Sequence, residues 1–209
     1  MPEGKLIVFE GIDGAGKSTN MDLTQVWMIT KNLPVIRTEW KGSPLVKPAI
    51  TEGKKHKSLR PKTFSLLHAA DFYDRMDKVV EPHLDSGGIV LADRYCYTAY
   101  VRDTARGLCP DWVYKVYMYA RKPDLVFYFK VPIDVAVERI KKRGHIGYYE
   151  AGMDMGLSND IEESYKIFQK RISEHYDALS KLYNFVELDG TKTLSELQKQ
   201  IRDRIKEIL

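Results

Sequence analysis

Residues 11–18, GIDGAGKS, have the residue types and spacing of a phosphate-binding loop. Glycines let backbone N–H groups surround anionic oxygens, and a following helix adds the positive end of its dipole. Lys17 is placed to reach the outer phosphates, and the Ser18 hydroxyl suits the coordination shell of Mg²⁺. A glycine turn that merely connects a strand to a helix would not need this lysine. The predicted nucleotide-binding residues are Gly11, Ile12, Asp13, Gly14, Ala15, Gly16, Lys17, Ser18 and Thr19.

Two carboxylates are expected near this loop. Asp93 follows the apolar run GIVLA, which predicts a position at the carboxyl edge of a sheet and a contact with Mg²⁺, through water. The alternatives for Asp93 are a helix N-cap or an ion pair with Arg94. Asp13 lies among phosphate-binding amides, where a negative charge is unfavourable, so we expect it to hold a substrate hydroxyl or the metal.

Strands and helices alternate along the chain and explain how these side chains are positioned. Apolar, β-branched segments predict five strands, and helical patterns lie between them, including a helix over 17–31 and a long helix over 61–84. The predicted fold class is α/β: a three-layer P-loop NTPase fold with a five-stranded parallel sheet flanked by helices. The predicted strands cover 5–11, 34–40, 88–95, 125–131 and 184–190.

A segment of different character follows the fourth strand and its helix. Residues 144–158 contain four glycines, two tyrosines and two methionines without a period, which predicts a mobile lid over about 143–158. A proline- and glycine-punctuated segment, 42–56, precedes the long helix. Without internal repeats or a linker, we expect a single domain over 1–209.

Composition limits the function classes. The chain of 209 residues is 44% hydrophobic and 30% charged, with no apolar run that could span a membrane. Its net charge of +4 is mild and comes without a nucleic-acid reader motif, so we expect no nucleic-acid partner. Cys96 and Cys109 lie too far apart for a zinc pair and are interpreted as reduced thiols in a cytoplasmic protein. The apolar N-terminal run leads directly into the loop and predicts a strand, not a signal peptide.

Three features together resemble the thymidylate kinase family of nucleoside monophosphate kinases: GIDGAGKST after the first strand, the triplet DRY (93–95) after the third, and a basic helix end before a lid. The resemblance implies that a homodimer transfers the γ-phosphoryl group of ATP, with Mg²⁺, to dTMP. The acceptor phosphate is already anionic, so in-line transfer needs positioning and charge neutralisation but no strong general base. The predicted catalytic residues are Lys17, Arg94, Arg143 and Asp13.

Members of this family carry a helper arginine either in the phosphate loop or in the lid. Gly14 and Ala15 occupy the loop positions here, which directs the search to the run ERIKKRG at the start of the lid. Arg143, beside Gly144, is the favoured candidate because a cation on a closing lid meets the developing charge when both substrates are bound. The remaining candidates are Arg139, Lys141 and Lys142; a solvated helix face is the alternative for the two lysines.

The family resemblance also predicts which residues bind the acceptor, although this sequence departs from the family motifs at several positions. Arg94 is the candidate for the acceptor phosphate because it can make a bidentate contact. Arg37 and Glu39 lie in the run RTEWKGS, which resembles the family motif TREPGGT but is not identical to it. The pocket after DRY is predicted to include Tyr100 and Arg102, with Asp103 and Arg106.

The long helix departs from the family run LLFAADR, since it reads LLHAADFYDR. His68 stands at the base-stacking position, Phe72 at that of the base-reading arginine, and Arg75 three residues further on. Helix packing is the alternative for His68 and Phe72. These changes leave a kinase of another nucleoside monophosphate as an alternative function. A nucleotide-gated interaction protein is a third interpretation, disfavoured by the retained phosphate-binding residues.

Overall fold

A computed structural model describes residues 3–209; residues 1 and 2 of the predicted domain lie outside this range. Its strands form one parallel sheet in the order β2–β3–β1–β4–β5. Leu6, Ile7, Val8 and Phe9 of the central strand are fully buried, as expected for a parallel strand covered on both faces. The predicted α/β fold class is confirmed. The strands are β1 (Lys5–Glu10), β2 (Val35–Glu39), β3 (Ile89–Asp93), β4 (Leu125–Lys130) and β5 (Val186–Asp189).

The helices cover both faces of the sheet and begin where local signals allow. Pro61 starts α3 because its fixed φ suits a first helical turn, and the Asp160 side chain caps α8 by accepting from the Glu163 N–H. The helices are α1 (Lys17–Thr30), α2 (Lys47–Lys55), α3 (Pro61–Arg75), α4 (Glu81–Asp85), α5 (Cys96–Ala105), α6 (Pro110–Val116), α7 (Ile133–Arg143), α8 (Ile161–Tyr183) and α9 (Leu194–Lys206).

Two helical regions differ from the sequence-based expectation. The predicted helix over 61–84 is α3 and α4 joined by a π-helical segment, Met76–Val80. Pro82 explains the interruption because it lacks the N–H that a continuous α-helix requires. The punctuated segment 42–56 contains α2, whose Pro48 lies in the first turn, where proline is tolerated.

Residues 144–158, hereafter the lid, connect α7 to α8. They begin at Gly144, with φ of 132°, and include a 3₁₀ turn at Met153–Met155. Ala151 of the lid is fully buried against Val137, Ile140 and Tyr165. The lid is therefore packed on α7 and α8 here, and its mobility stays a prediction.

Candidate active site

The phosphate loop follows β1 directly and ends where α1 begins. Gly16 occupies the N-cap of α1 in a left-handed conformation. The buried Lys17 Nζ donates to the carbonyl oxygens of Gly11 at 3.0 Å and Ile12 at 2.9 Å. Burial, reinforced by the positive charge of Arg94, lowers the pKa of Lys17 to about 8. The ammonium group thus lies inside the loop, where phosphate charge would stabilise it.

Gly14 has a steric role besides conformational freedom. Its φ is 81°, and a Cβ atom at this position would lie 2.7 Å from the carbonyl oxygen of Ala136. An arginine cannot occupy this position without displacing α7. The structure therefore gives a physical reason why position 14 of the loop carries no arginine in this protein.

Ser18 and Asp93 form the oxygen-rich corner of the site. The Ser18 hydroxyl donates to Asp93 Oδ2 at 2.9 Å, because β3 ends at Asp93 beside the start of α1. A hydroxyl and a carboxylate are hard oxygen donors of the kind Mg²⁺ prefers, together with water and phosphate oxygens. This pair fits the predicted metal site.

Arg94 and Asp13 form an ion pair across the loop. The Arg94 guanidinium also donates to the Gly11 carbonyl at 3.2 Å. Although burial opposes both charges, Arg94 and Lys17 hold the pKa of Asp13 below its usual value, and Asp13 raises the pKa of Arg94. Asp13, whose negative charge is unfavourable among phosphate-binding amides, is thus paired with Arg94, the residue predicted to bind the acceptor phosphate.

Glu10 anchors the turn that carries Arg94. Its carboxylate is fully buried and accepts from the N–H groups of Tyr95 at 2.8 Å and Thr98 at 3.2 Å. The hydroxyls of Thr98 and Tyr176 donate to its other oxygen at 2.7 and 2.6 Å. Burial raises the pKa of Glu10 despite these bonds. The end of β1 and the start of α5 are therefore held together at a single carboxylate.

Two adjoining cavities open from this region. The loop cavity, about 650 Å³, is lined by residues 13–19, Asp93, Arg139 and Arg143. The α3 cavity, about 140 Å³, is lined mainly by side chains of α3, α5, α8 and the lid. Their shared lining residues are Asp13, Trp40, Lys41, Arg94 and Glu150.

The four candidate lid cations have different environments. Arg139 is held by backbone, with Nη2 donating to Gly190 O at 2.8 Å and Nη1 lying 3.4 Å from Gly14 O. Lys141 pairs with Glu162 at 2.5 Å, and Lys142 is exposed. The Arg143 side chain is 57% exposed, lines the loop cavity and pairs with Glu150 at 3.3 Å. Arg143 therefore combines an exposed side chain with a place in the lining of the loop cavity.

The α3 cavity has aromatic walls and several cations. The rings of Phe64 and His68 stack with centroids 4.2 Å apart. The guanidinium groups of Arg102 and Arg106 each lie 4.7 Å from the Phe64 centroid. Of the predicted acceptor residues, the structure brings together His68, Arg94 and Arg102, and Arg106 joins them. Glu39 lies at the loop cavity instead.

His68 is a neutral acceptor in this environment. Its Nδ1 lies 2.8 Å from the carbonyl oxygen of Phe64, which accepts only, so Nδ1 carries the proton. Burial, with the nearby charge of Arg102, lowers the pKa of His68 well below its usual value. The ring is thus uncharged at neutral pH, with Nε2 as its acceptor.

Four predicted acceptor residues lie elsewhere, which corrects the sequence-based placement. Phe72 is buried in the core against Tyr95 and Tyr117. Arg75 donates to Asp71 at 3.1 Å and Thr38 at 2.5 Å, facing the outer side of β2. Phe72 and Arg75 share a face of α3 with His68 but lie about one and two turns further along the helix axis, beyond the residues that line the cavity. Arg37 pairs with Asp22 of α1, and Tyr100 packs among Tyr97, Tyr114 and Tyr117.

Several residues that line the α3 cavity were not predicted from the sequence. Phe64 stands four residues before His68. This spacing places both side chains on the same face of a helix, so Phe64 could have been predicted together with His68. Lys54 belongs to the unexpected α2, with Nζ 5.0 Å from the Phe64 centroid. Tyr149 and Glu150 lie within the predicted lid, but no pattern distinguished them. Gln169 of α8 had no local signal.

Comparisons with known proteins agree with this geometry. Across residues 3–209, no helix is both long and apolar enough to cross a bilayer. The chain is 43% identical over 201 residues to "Probable thymidylate kinase 2" of Saccharolobus solfataricus, covering 95% of this chain and 94% of that protein. Over 200 residues it is 31% identical to "Thymidylate kinase" of Fervidobacterium nodosum, covering 93% and 95%. Identity to "Probable thymidylate kinase" of Thermococcus kodakarensis is 29%, covering 85% and 84%.

The predicted family resemblance extends over nearly the whole chain. The sequence model described as thymidylate kinase matches residues 9–201, from the end of β1 into α9. This match includes the phosphate loop, the DRY turn and the lid. The chain therefore belongs to the thymidylate kinase family of nucleoside monophosphate kinases.

Proposed function

We propose that this protein transfers the γ-phosphoryl group of ATP to dTMP, giving dTDP. The observation that carries the proposal is the junction of the two cavities at Asp13 and Arg94. A phosphoryl donor in the loop cavity and an anionic acceptor in the α3 cavity would meet there. Transfer between them requires only a short in-line displacement.

The donor nucleotide would be held by the loop. Backbone N–H groups of residues 11–19 and the start of α1 favour its phosphates, and Lys17 adds a positive charge. Ser18 and Asp93 would hold Mg²⁺, which when bound neutralises charge on the phosphate oxygens. Arg139, held by the carbonyl groups of Gly14 and Gly190, shapes the adjoining wall of the cavity.

The acceptor phosphate would bind beside Arg94, and Arg143 would neutralise the group in transfer. Asp13 orients Arg94 through their ion pair. Arg143 is the mobile cation at the loop cavity, and closure of the lid would bring it against the phosphates. No general base is needed, since the phosphate oxygen that attacks is already anionic.

The base would enter the α3 cavity. Its volume of about 140 Å³ is sufficient for a nucleobase. Phe64 and His68 give the cavity an aromatic wall, and the cations beside Phe64 favour carbonyl oxygens. These features support a pyrimidine monophosphate as the acceptor.

The organisation of the molecule is also proposed. We expect residues 3–209 to act as one kinase domain, because the core is continuous across the sheet. A homodimer follows from family membership and is testable by sedimentation. The expected cytoplasmic location and lack of a nucleic-acid partner stay predictions.

A direct assay tests this function. ADP production is measured from ATP and Mg²⁺ with each deoxy- and ribonucleoside monophosphate in turn, and with thymidine as the acceptor that lacks the phosphate. We expect turnover that requires Mg²⁺, is fastest with dTMP and is absent with thymidine. Faster turnover with another monophosphate would reassign the acceptor. ATP binding without monophosphate-dependent turnover would favour the nucleotide-gated interaction protein.

A further inference from the structure

One wall of the α3 cavity is built by two consecutive carbonyl groups of the lid. The Tyr149 carbonyl accepts from Arg106 Nη2 at 2.6 Å. The next carbonyl, that of Glu150, accepts from Gln169 Nε2 at 2.8 Å. Arg106, which follows α5, and Gln169 of α8 are therefore both held by adjacent peptide groups of the lid.

Arg106 presents one unused donor. Its side chain is buried, and Nε donates to Asp154 Oδ2 of the lid at 2.9 Å. With Nη2 bound to Tyr149, the remaining nitrogen, Nη1, has no hydrogen-bond partner among residues 3–209. A buried guanidinium nitrogen in this position is unfavourable until an acceptor reaches it.

Gln169 presents one unused acceptor at the same cavity. Because a carbonyl oxygen only accepts, the bond to Glu150 identifies the nitrogen of the amide and leaves Oε1 as the other atom. Within the described chain, Oε1 is buried and has no partner. Gln169 and Arg106 both line the α3 cavity.

The walls around this pair are aromatic. The Arg106 guanidinium lies 4.7 Å from the Phe64 centroid and 4.5 Å from that of Phe168. A ligand that satisfies the pair must be flat and must offer an acceptor next to a donor. The imide edge of a 4-oxopyrimidine, with O4 beside N3–H, has this arrangement. A 4-aminopyrimidine has the reverse one, a donor at N4 beside an acceptor at N3.

We propose that Arg106 and Gln169 read the Watson–Crick edge of the acceptor base. Arg106 Nη1 donates to O4, and Gln169 Oε1 accepts from N3–H. This inference rests on the proposed function and assigns base recognition to residues other than Phe72, which lies in the core. Arg102 Nη2, also without a partner in the region described, is a second donor on the same cavity.

The arrangement also links base recognition to the lid. Both readers are oriented by lid carbonyls, so the recognition edge is complete only with the lid packed as observed. Glu150, whose carbonyl holds Gln169, pairs through its side chain with Arg143 at 3.3 Å. A matching base therefore stabilises the lid position from which Arg143 approaches the loop cavity.

The test compares dUMP with dCMP, which both lack the 5-methyl group and differ only at the edge. In the wild-type enzyme we expect kcat/KM for dUMP to exceed that for dCMP by about 100-fold, since the wrong edge leaves buried polar groups unpaired. Gln169→Leu removes the acceptor without changing the size of the side chain greatly. We expect it to lower the dUMP:dCMP ratio about tenfold or more while leaving the dTMP:dUMP ratio, which reports the methyl group, unchanged.

Gln200→Leu on α9 is the matched control and should change neither ratio. Thermal unfolding of both variants checks that they are folded, and equilibrium binding of dUMP and dCMP replaces kinetics if turnover is too slow. Equal use of dUMP and dCMP by a wild-type enzyme that phosphorylates dTMP would overturn this inference alone. Absence of dTMP phosphorylation would overturn the proposed function itself.

Discussion

Arg94 joins the two cavities, and its backbone explains how. It adopts φ of 71°, a left-handed conformation uncommon for residues with a side chain. Its N–H donates to Phe9 O at 3.0 Å, and Glu10 binds the next turn, so surrounding bonds maintain the conformation. Such strain is typical of functional positions. The turn directs the guanidinium toward Asp13 at the junction of the cavities.

Arg143 supplies the first prediction at the residue scale. We expect Arg143→Ala to lower kcat about 10³-fold, because the lost cation stabilises the transferred group, with smaller changes in KM for either substrate. Steady-state kinetics with ATP and dTMP measures this. Lys142→Ala, an adjacent exposed cation, is the control and should retain kcat. Equal kcat in the two variants would reject the role of Arg143.

Lys54 supplies a prediction about pH. Burial, together with Lys41, Arg102 and Arg106, lowers the pKa of Lys54 to about 7. About half of the amine is charged at pH 7 and about a tenth at pH 8, so KM for the anionic dTMP should rise about fivefold over this interval. Lys54→Arg keeps its charge and should remove most of this rise. The same pH dependence in both enzymes would exclude Lys54 as its source.

At the scale of elements, the lid and the helices beside it form one packed unit. Ser164 of α8 donates to the Ala151 carbonyl at 2.7 Å, and Arg106, at the C-terminal end of α5, binds both Tyr149 and Asp154. The Tyr165 hydroxyl donates to the backbone oxygen of Asp13 at 2.7 Å. Hydrogen bonds therefore connect the lid to residues of the α3 cavity, and connect α8 to both the lid and the phosphate loop.

Two lid glycines allow a controlled test of this connection. Gly152 has φ of 65°, and an added Cβ would lie 2.6 Å from Phe168, a wall of the α3 cavity. We expect Gly152→Ala to raise KM for dTMP about tenfold by displacing the lid. Gly156→Ala has the same backbone cost at φ of 61°, but no heavy atom of residues 3–209 lies within 4 Å of its Cβ. Similar KM values in the two variants would contradict the proposed packing effect.

For the whole molecule, the strand order puts β1 at the centre, with Glu10 at its carboxyl end. The phosphate loop, Asp93 and Arg94 extend from this edge of the sheet. The carboxylate of Glu10 is buried under the DRY turn, so the electrostatics of the site and the stability of the fold depend on the same residue.

Glu10 predicts how stability changes with pH. Burial raises its pKa above the usual 4.5, so the folded state favours the protonated form. The associated stability is present below about pH 4.5 and is lost as pH rises through the raised pKa. Glu10→Gln keeps a neutral side chain, so its Tm relative to wild type should increase by a few degrees from pH 5 to pH 8. Glu187→Gln, at an exposed site on β5, is the control; a Tm difference independent of pH for Glu10→Gln would contradict the prediction.

Local patterns in the sequence were sufficient for the phosphate-binding half of the protein. The strand, glycine loop and helix are contiguous, so spacing alone determined that Lys17 and Ser18 lie together. The apolar run before Asp93 determined its place at the sheet edge, because parallel strands end on the same side. The α/β fold followed from the alternation of buried strands and helices.

The acceptor half was decided only by the tertiary structure. Its lining residues come from α2, α3, α5, the lid and α8, and no short spacing relates Phe64 to Arg106 or Gln169. The cavity meets α3 one turn nearer its N-terminus than predicted, so Phe64 lines the pocket and Phe72 packs in the core. The sequence therefore determined the geometry of the phosphate loop through local spacing, whereas the proposed base pocket depends on long-range packing, which places side chains distant in sequence around one cavity.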